Sequence, residues 1–168
     1  IHQGIDVARA AGLKHVAGAT GSTSEAAVKA LYGLPDEALI DMGDFVGGML
    51  KHLRTHPVAR VTVAGGFGKL TKMAQGAMDL HSGRSQVVFV WLAARMRELT
   101  GGGDLDEQVR GANTAAEVEA LARERGVDLA GAVARLARDA GVRVLRGADI
   151  ALDVVVASRA GEVIGRAG

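Results

Sequence analysis

The chain has 168 residues, 48% of them hydrophobic and 23% charged, with a formal net charge of +1. That is one domain with a sizeable core, without the basic footprint of a nucleic-acid binder. There is no cysteine, which excludes disulfides, thiolate nucleophiles and thiolate metal sites and suits a reducing, cytoplasmic setting; no apolar run approaches the roughly 18 residues of a membrane helix, so no membrane partner is expected.

Ile5 and Ala8 stand at helical spacing, which predicts a helix over 1–11 stopped by Gly12. The first residue is Ile rather than Met, and an element this close to it predicts a fragment of something longer, whose activity would need a partner domain. A strand is expected over 15–20. A helix over 23–32 follows, with Ser22 and Glu25 at capping-box spacing and Gly33 and Pro35 closing it. The strand expected over 38–42 carries Asp41, about twenty residues beyond Gly21, a separation at which an acid in nucleotide-binding βαβ units accepts hydrogen bonds from ribose hydroxyls. Asp44 is read as the N-cap of a helix over 45–55 with Val46, Met49, Leu50 and Leu53 as its buried stripe. His52 and His56 stand four apart on it, as on one face of a metal ion. No carboxylate follows in the required pattern and Pro57 ends the helix, so the pair reads as a solvated helix end and no metal is expected.

Residues 60–86, RVTVAGGFGKLTKMAQGAMDLHSGRSQ, carry the chemistry. Val61-Thr62-Val63-Ala64 reads as a strand buried on both faces. Gly65, Gly66, Phe67 and Gly68 read as a loop in which glycine permits positive φ and lets a ligand approach bare backbone. A short helix over 69–75 follows, and then Asp79, His81, Ser82, Arg84 and Ser85 fall within seven positions. A packed core would not choose that density of acid, base, cation and hydroxyl.

Further on, a helix is expected over 87–99, capped by Ser85 and with Trp91 in the core. Helices over 105–110, 114–125 and 129–140 have Asp104 with Glu107 and Thr114 with Glu117 as caps, and Gly126 and Gly141 as stops; their charged residues read as a solvated face. Strands over 142–145, 150–157 and 162–165 complete the chain. The alternation predicts an α/β fold of three layers: a mostly parallel sheet with helices on both faces and a C-terminal antiparallel hairpin. The loops 18–25, 42–44 and 65–69 would meet beyond the strand ends, where such sheets bind ligands. A P-loop is excluded because Gly68-Lys69 is followed by Leu70, and a Ser-His-Asp triad from Ser85, His81 and Asp79 is disfavoured by their closeness in one loop. The plainer alternative is that Asp79, His81, Arg84 and Ser85 only cap and pair one another.

The stretches VAGGFGKLTKMA (63–74) and MDLHSGRSQV (78–87) resemble the C-terminal domain of the cobalt-precorrin-5B C1-methyltransferase family of anaerobic cobalamin biosynthesis. GIDVARAAGL (4–13), ATGSTSE (19–25) and ALDVVV (151–156) fit it too, so the similarity covers nearly the whole chain. One departure is Val88, where an acidic residue is usual. The resemblance implies methyl transfer from S-adenosylmethionine to ring carbon C1 of a cobalt corrinoid, with an N-terminal domain of the same protein as partner; a homo-oligomer is compatible with it. On this reading the donor lies across Gly21, Ser22, Thr23, Ser24 and Glu25 and across Gly65, Gly66, Phe67 and Gly68, with Asp41 on its ribose. Lys69, Lys72 and Arg84 would hold the polycarboxylate substrate, and Asp79, His81 and Ser85 would act at the reacting centre. The alternative is a non-catalytic corrinoid- or nucleotide-binding domain.

Overall fold

The computed structural model describes residues 1–168. Near-continuous buried runs, whose side chains alternate between the two faces, build its centre. Along β3 (Arg60–Gly66) and β4 (Ala151–Ala157), Val61, Val63, Leu152, Val154 and Val156 enter one core, and Ala64 and Val155 enter another. A sheet buried on both faces between helix layers requires this. In β1 (His15–Ala19), Val16 joins the first core and Ala17 and Ala19 the second. With β2 (Leu39–Asp41) and β5 (Val163–Ala167) these strands form one sheet in the order β2-β1-β3-β4-β5. The pairs β1–β2, β1–β3 and β3–β4 are parallel and β4–β5 is antiparallel. The expected α/β sheet and C-terminal hairpin are therefore borne out.

The eight helices are α1 (His2–Ala10), α2 (Ser22–Tyr32), α3 (Val46–Thr55), α4 (Phe67–Ala74), α5 (Phe89–Thr100), α6 (Asp106–Arg110), α7 (Ala115–Glu124) and α8 (Leu129–Leu145). Right-handed crossovers put helices on opposite faces when consecutive strands are added in opposite directions. The step from β1 to β2 runs one way along the sheet, and the steps from β2 to β3 and from β3 to β4 run the other. Hence α2, through Val28, packs on Ala17, Ala64 and Val155 in a thin core of 7 buried residues, while α3, α4 and α8 share the main core of 34. Between β1 and β3 the direction of winding reverses.

Several local expectations give way to packing. Gly65 and Gly66 are not in a loop: they extend β3, opposite Val156 and Ala157 of β4, and α4 starts at once with Phe67. Neither they nor Gly68 has a positive φ. The stop at Gly141 and the strand over 142–145 are also absent, because α8 runs through them for 17 residues. Gly141 is there for clearance, since a Cβ would lie 2.6 Å from Leu152 Cδ2 and 3.0 Å from Met73 Cε. The helix ends instead at Arg146, φ 50°, followed by Gly147.

Caps divide similarly. Thr114 accepts from the Glu117 N–H as expected, and Gly33 closes α2 in the left-handed region at φ 62°. Ser22, Asp44, Ser85 and Asp104 cap nothing: the N-cap positions are Gly21, Phe45, Val88 and Leu105, without side-chain caps. Asp44 and Ser85 are engaged elsewhere, as described below. Trp91 sits half-buried at the core's edge with Arg95 5.1 Å above its ring. No helix is long and apolar enough to cross a membrane.

Candidate functional site

Where the winding reverses, the first turns of α2 and α4 diverge to opposite faces and leave a crevice beyond the carboxyl ends of β1 and β3. Open α/β sheets bind ligands at such a point. A cleft of about 990 Å³ occupies it. Its floor is Thr20 to Ser24 after β1 and Gly66 to Lys69 where β3 passes into α4; its walls are one face of α7, from Thr114 to Arg123, and the β4–β5 turn with Ser158, Arg159 and Glu162. Two helix N-termini thus present their free amides on the floor, where partial positive charge favours an anionic group.

The glycines on that floor have a distinctive environment. Gly21 (φ −178°) and Gly66 (φ −70°) adopt conformations open to any residue, and a Cβ at either would meet no atom within 4 Å. Neither backbone strain nor internal packing calls for glycine there, and what it leaves bare is the cleft side of the backbone. Gly65 differs: it is buried, and a Cβ would lie 3.0 Å from Thr20 Oγ1. Ser24 turns inward, its hydroxyl donating to the Gly21 carbonyl at 2.9 Å.

Lys69 and Lys72 border the cleft, yet both ammonium groups are already engaged. Lys72 is buried and donates to the Leu80 carbonyl at 3.0 Å; Lys69 donates to the same oxygen at 3.2 Å and pairs with Asp44 at 2.8 Å. Burial first, and then the charge of Lys69, hold the Lys72 pKa below the ordinary lysine value. This arrangement pins residue 80 and with it the segment between α4 and α5. Gln75 clamps the far end of that segment, donating to the Gln86 carbonyl and accepting from the Val88 N–H, each at 3.0 Å.

Asp79, His81 and Ser85 lie within this pinned segment and do not line the cleft. The Asp79 carboxylate accepts from the His81 N–H at 3.1 Å, His81 Nδ1 accepts from the Gly83 N–H at 3.0 Å, and the Ser85 hydroxyl donates to the Asp79 carbonyl at 2.8 Å. All three bonds run to the local backbone, so the side chains hold a turn and form no triad. Arg84 is exposed, and Asp41 is exposed at the end of the edge strand β2, outside the cleft; Glu25, half-buried in the first turn of α2, is outside it too.

Conversely, the α7 wall and the hairpin turn escaped sequence reasoning. Glu119 and Arg123 stand four apart on α7 and read as a solvated pair; in the structure they are 4.0 Å apart and the Glu119 side chain is only 15% exposed. Arg159 is exposed and makes no ion pair. The available signal was the small residues Ala115, Ala116 and Ala120 on one face of a well-capped helix start, which leaves room rather than filling it.

Comparison with known proteins adds a family. The chain is 58% identical over 164 residues to a protein from Methylorubrum extorquens named cobalt-precorrin-5B C(1)-methyltransferase, covering 98% of this chain and 45% of the relative. It is 56% identical over 169 residues to proteins of the same name from Brucella ovis and Brucella suis, covering 99% of this chain and 45% of each. The chain thus spans about half the length of the curated relatives it matches. No solved structure matches. The family model described as "CbiD, C-terminal domain" matches residues 79–168, the part that holds β4, β5, the α7 wall and the pinned turn. By that match the chain belongs to the CbiD family.

Proposed function

We propose that this chain provides the ligand cleft of an S-adenosylmethionine-dependent methyltransferase that methylates C1 of cobalt-precorrin-5B in cobalamin biosynthesis, in the cytoplasm and together with a further domain of the same protein. The observation that carries this reading is identity of 56–58% along essentially the whole chain to proteins bearing that name. The cleft at the winding reversal supports it.

S-Adenosylmethionine supplies a methyl group on a sulfonium, which a nucleophilic ring carbon accepts by in-line displacement while the sulfur keeps the bonding electron pair. Such a reaction needs alignment and exclusion of water rather than a protein nucleophile. The residues fit that demand. Bare backbone at Gly21 and Gly66 admits a ligand to the first-turn amides of α2 and α4, which suit a carboxylate. Of the two acids lining the cleft, the exposed Glu162 and the more buried Glu119, Glu119 takes the ribose hydroxyls, a part that Asp41, outside the cleft, is not placed to play. Arg123 and Arg159 hold substrate carboxylates, Arg159 as the unpaired guanidinium. Lys69 and Lys72 support the floor through residue 80, and Asp79, His81 and Ser85 keep the adjoining turn.

Calorimetric titration with S-adenosylhomocysteine tests this reading. Binding to this chain, weakened at least about tenfold by Glu119→Gln and unchanged by Asp41→Ala, is the expected outcome, since a lost charged hydrogen bond costs roughly 1.5–3 kcal/mol. Binding that appears only with the full-length protein moves the donor to the domain junction and overturns the assignment of the cleft. The position of Asp79, His81 and Ser85 outside the cleft favours a second reading, a non-catalytic corrinoid-binding domain; capture of corrinoid without S-adenosylhomocysteine would select it.

A further inference from the structure

At the other end of the sheet, α1 and α3 bring together two pairs of polar side chains, each four residues apart: His2 and Asp6 on α1, His52 and His56 on α3. His52 is central. Its ring stacks on His2 at 4.1 Å and on His56 at 4.0 Å, nearly parallel to both, and its Nε2 lies 3.1 Å from Asp6 Oδ1. Ligand-type atoms of Asp6, His52 and His56 all fall within 4.8 Å of one another.

We propose that Asp6, His52 and His56 form a binding site for a divalent transition-metal ion of the zinc type, which ties α1 to α3. The donor set of two imidazoles and one carboxylate suits a borderline ion such as Zn²⁺ rather than Ca²⁺ or Mg²⁺. His56 Nδ1 lies 3.2 Å from the His52 carbonyl; a ring that donates from Nδ1 to a backbone oxygen offers Nε2 as a ligand, the outer-shell arrangement usual for metal-bound histidine. Both histidines stand in the last turn or at the C-cap of α3, where the helix dipole favours a cation. His52 is held in place, its side chain 11% exposed, while Asp6 is 53% exposed and leaves an entry path. Zn–ligand bonds of about 2.0–2.2 Å in a tetrahedron separate ligand atoms by about 3.4 Å, so the widest gap closes by roughly 1.4 Å through side-chain rotation.

This site is structural. The cleft begins at Gly66 and the histidines lie beyond Arg60 at the opposite end of β3, which at about 3.3 Å per residue places the two about 20 Å apart. The sequence pattern lacked a carboxylate because Asp6 arrives from 46 positions upstream of His52.

The test is titration of this chain, free of metal and of any histidine tag, with Zn²⁺ by calorimetry and thermal melting, alongside Asp6→Asn and His56→Gln. Asp6 is exposed on α1 and His56 half-buried at the C-cap of α3, and the metal-free melting curves check that each variant folds. One Zn²⁺ is expected per chain, with melting raised by roughly 5–10 °C at a hundredfold excess over Kd. Each variant should lose more than the roughly 10–100-fold affinity that outer-shell partners of metal sites contribute, and with it the melting shift. Absence of saturable one-to-one binding overturns the site, as does unchanged Zn²⁺ affinity in both variants.

Discussion

Gly66 is a glycine that neither backbone strain nor internal packing requires. Its φ of −70° and the empty space around its missing Cβ mean that Gly66→Ala should leave stability within about 0.5 kcal/mol, as at surface positions free of special features. The methyl group would instead occupy open space at the cleft floor, so under the proposed function affinity for S-adenosylhomocysteine is expected to fall; equal affinity by calorimetry would show that the ligand does not approach there. His15 illustrates the converse, a residue set by its interior. Its Nε2 lies 2.8 Å from Thr62 Oγ1 and Tyr32 meets its ring edge-on at 4.9 Å. Burial, followed by the charge of Arg60, lowers its pKa below 6.5, with Asp153 opposing. Between that lowered value and 6.5 the unfolded chain binds the extra proton, so stability is lost as pH falls through the window and recovered as it rises. Melting temperatures from pH 7 to pH 5 should decline less steeply in His15→Gln than in the parent chain, and parallel profiles would remove His15 from the effect.

Among the elements, β5 and the start of α8 meet backbone to backbone. A Cβ on Gly165 would stand 2.5 Å from the Ala130 carbonyl carbon and oxygen and 2.9 Å from the Gly131 nitrogen. These are backbone atoms at the first turn of a helix, which cannot swing aside. Gly165→Ala is therefore expected to cost at least the roughly 1–3 kcal/mol of core overpacking, read from the urea midpoint. The two capping-box patterns separate at this scale as well. Thr114 accepts from the Glu117 N–H at 3.2 Å, and Glu117 reaches back to the Asn113 N–H at 2.9 Å. Thr114→Ala should destabilise by about 1 kcal/mol. Ser22 makes no cap, so Ser22→Ala should change stability by less than about 0.5 kcal/mol; equal losses in the two variants would contradict the assignment of caps. Nothing in the local patterns STSE (22–25) and TAAE (114–117) separates them, because the spacing forms a box only when its first residue is itself the N-cap, which Thr114 is and Ser22, already inside α2 behind Gly21, is not.

Across the whole molecule, the sheet keeps two groups of polar side chains apart. The cleft gathers at the carboxyl ends of the parallel strands, and the histidine stack lies at their amino ends. Sites so far apart, without shared partners, act independently, with non-additivity within about 0.3–0.5 kcal/mol. The stabilisation from S-adenosylhomocysteine and that from Zn²⁺ should therefore add when both are present. A shortfall well beyond that range would mean that the strands transmit one site's occupancy to the other.

The order of elements was legible in the residues themselves. Strands buried on both faces such as Val61 to Ala64, helix stripes such as Val46, Met49, Leu50 and Leu53, and glycine stops such as Gly33 are short-range signals, complete within a dozen positions. From them follow the α/β class, the placing of ligands beyond strand ends and the hairpin at the end of the chain. Tertiary structure decided what depends on partners far along the chain. Gly141 reads as a stop until Leu152 and Met73 are seen against it; Lys69 and Lys72 read as free cations until Asp44 and Leu80 claim them. Glu119 and Arg123 read as a solvated pair until the hairpin turn faces them across the cleft, and His52 and His56 lack an acid until α1 supplies Asp6. Periodicity records which face of an element is buried, and it contains no information about which other element does the burying.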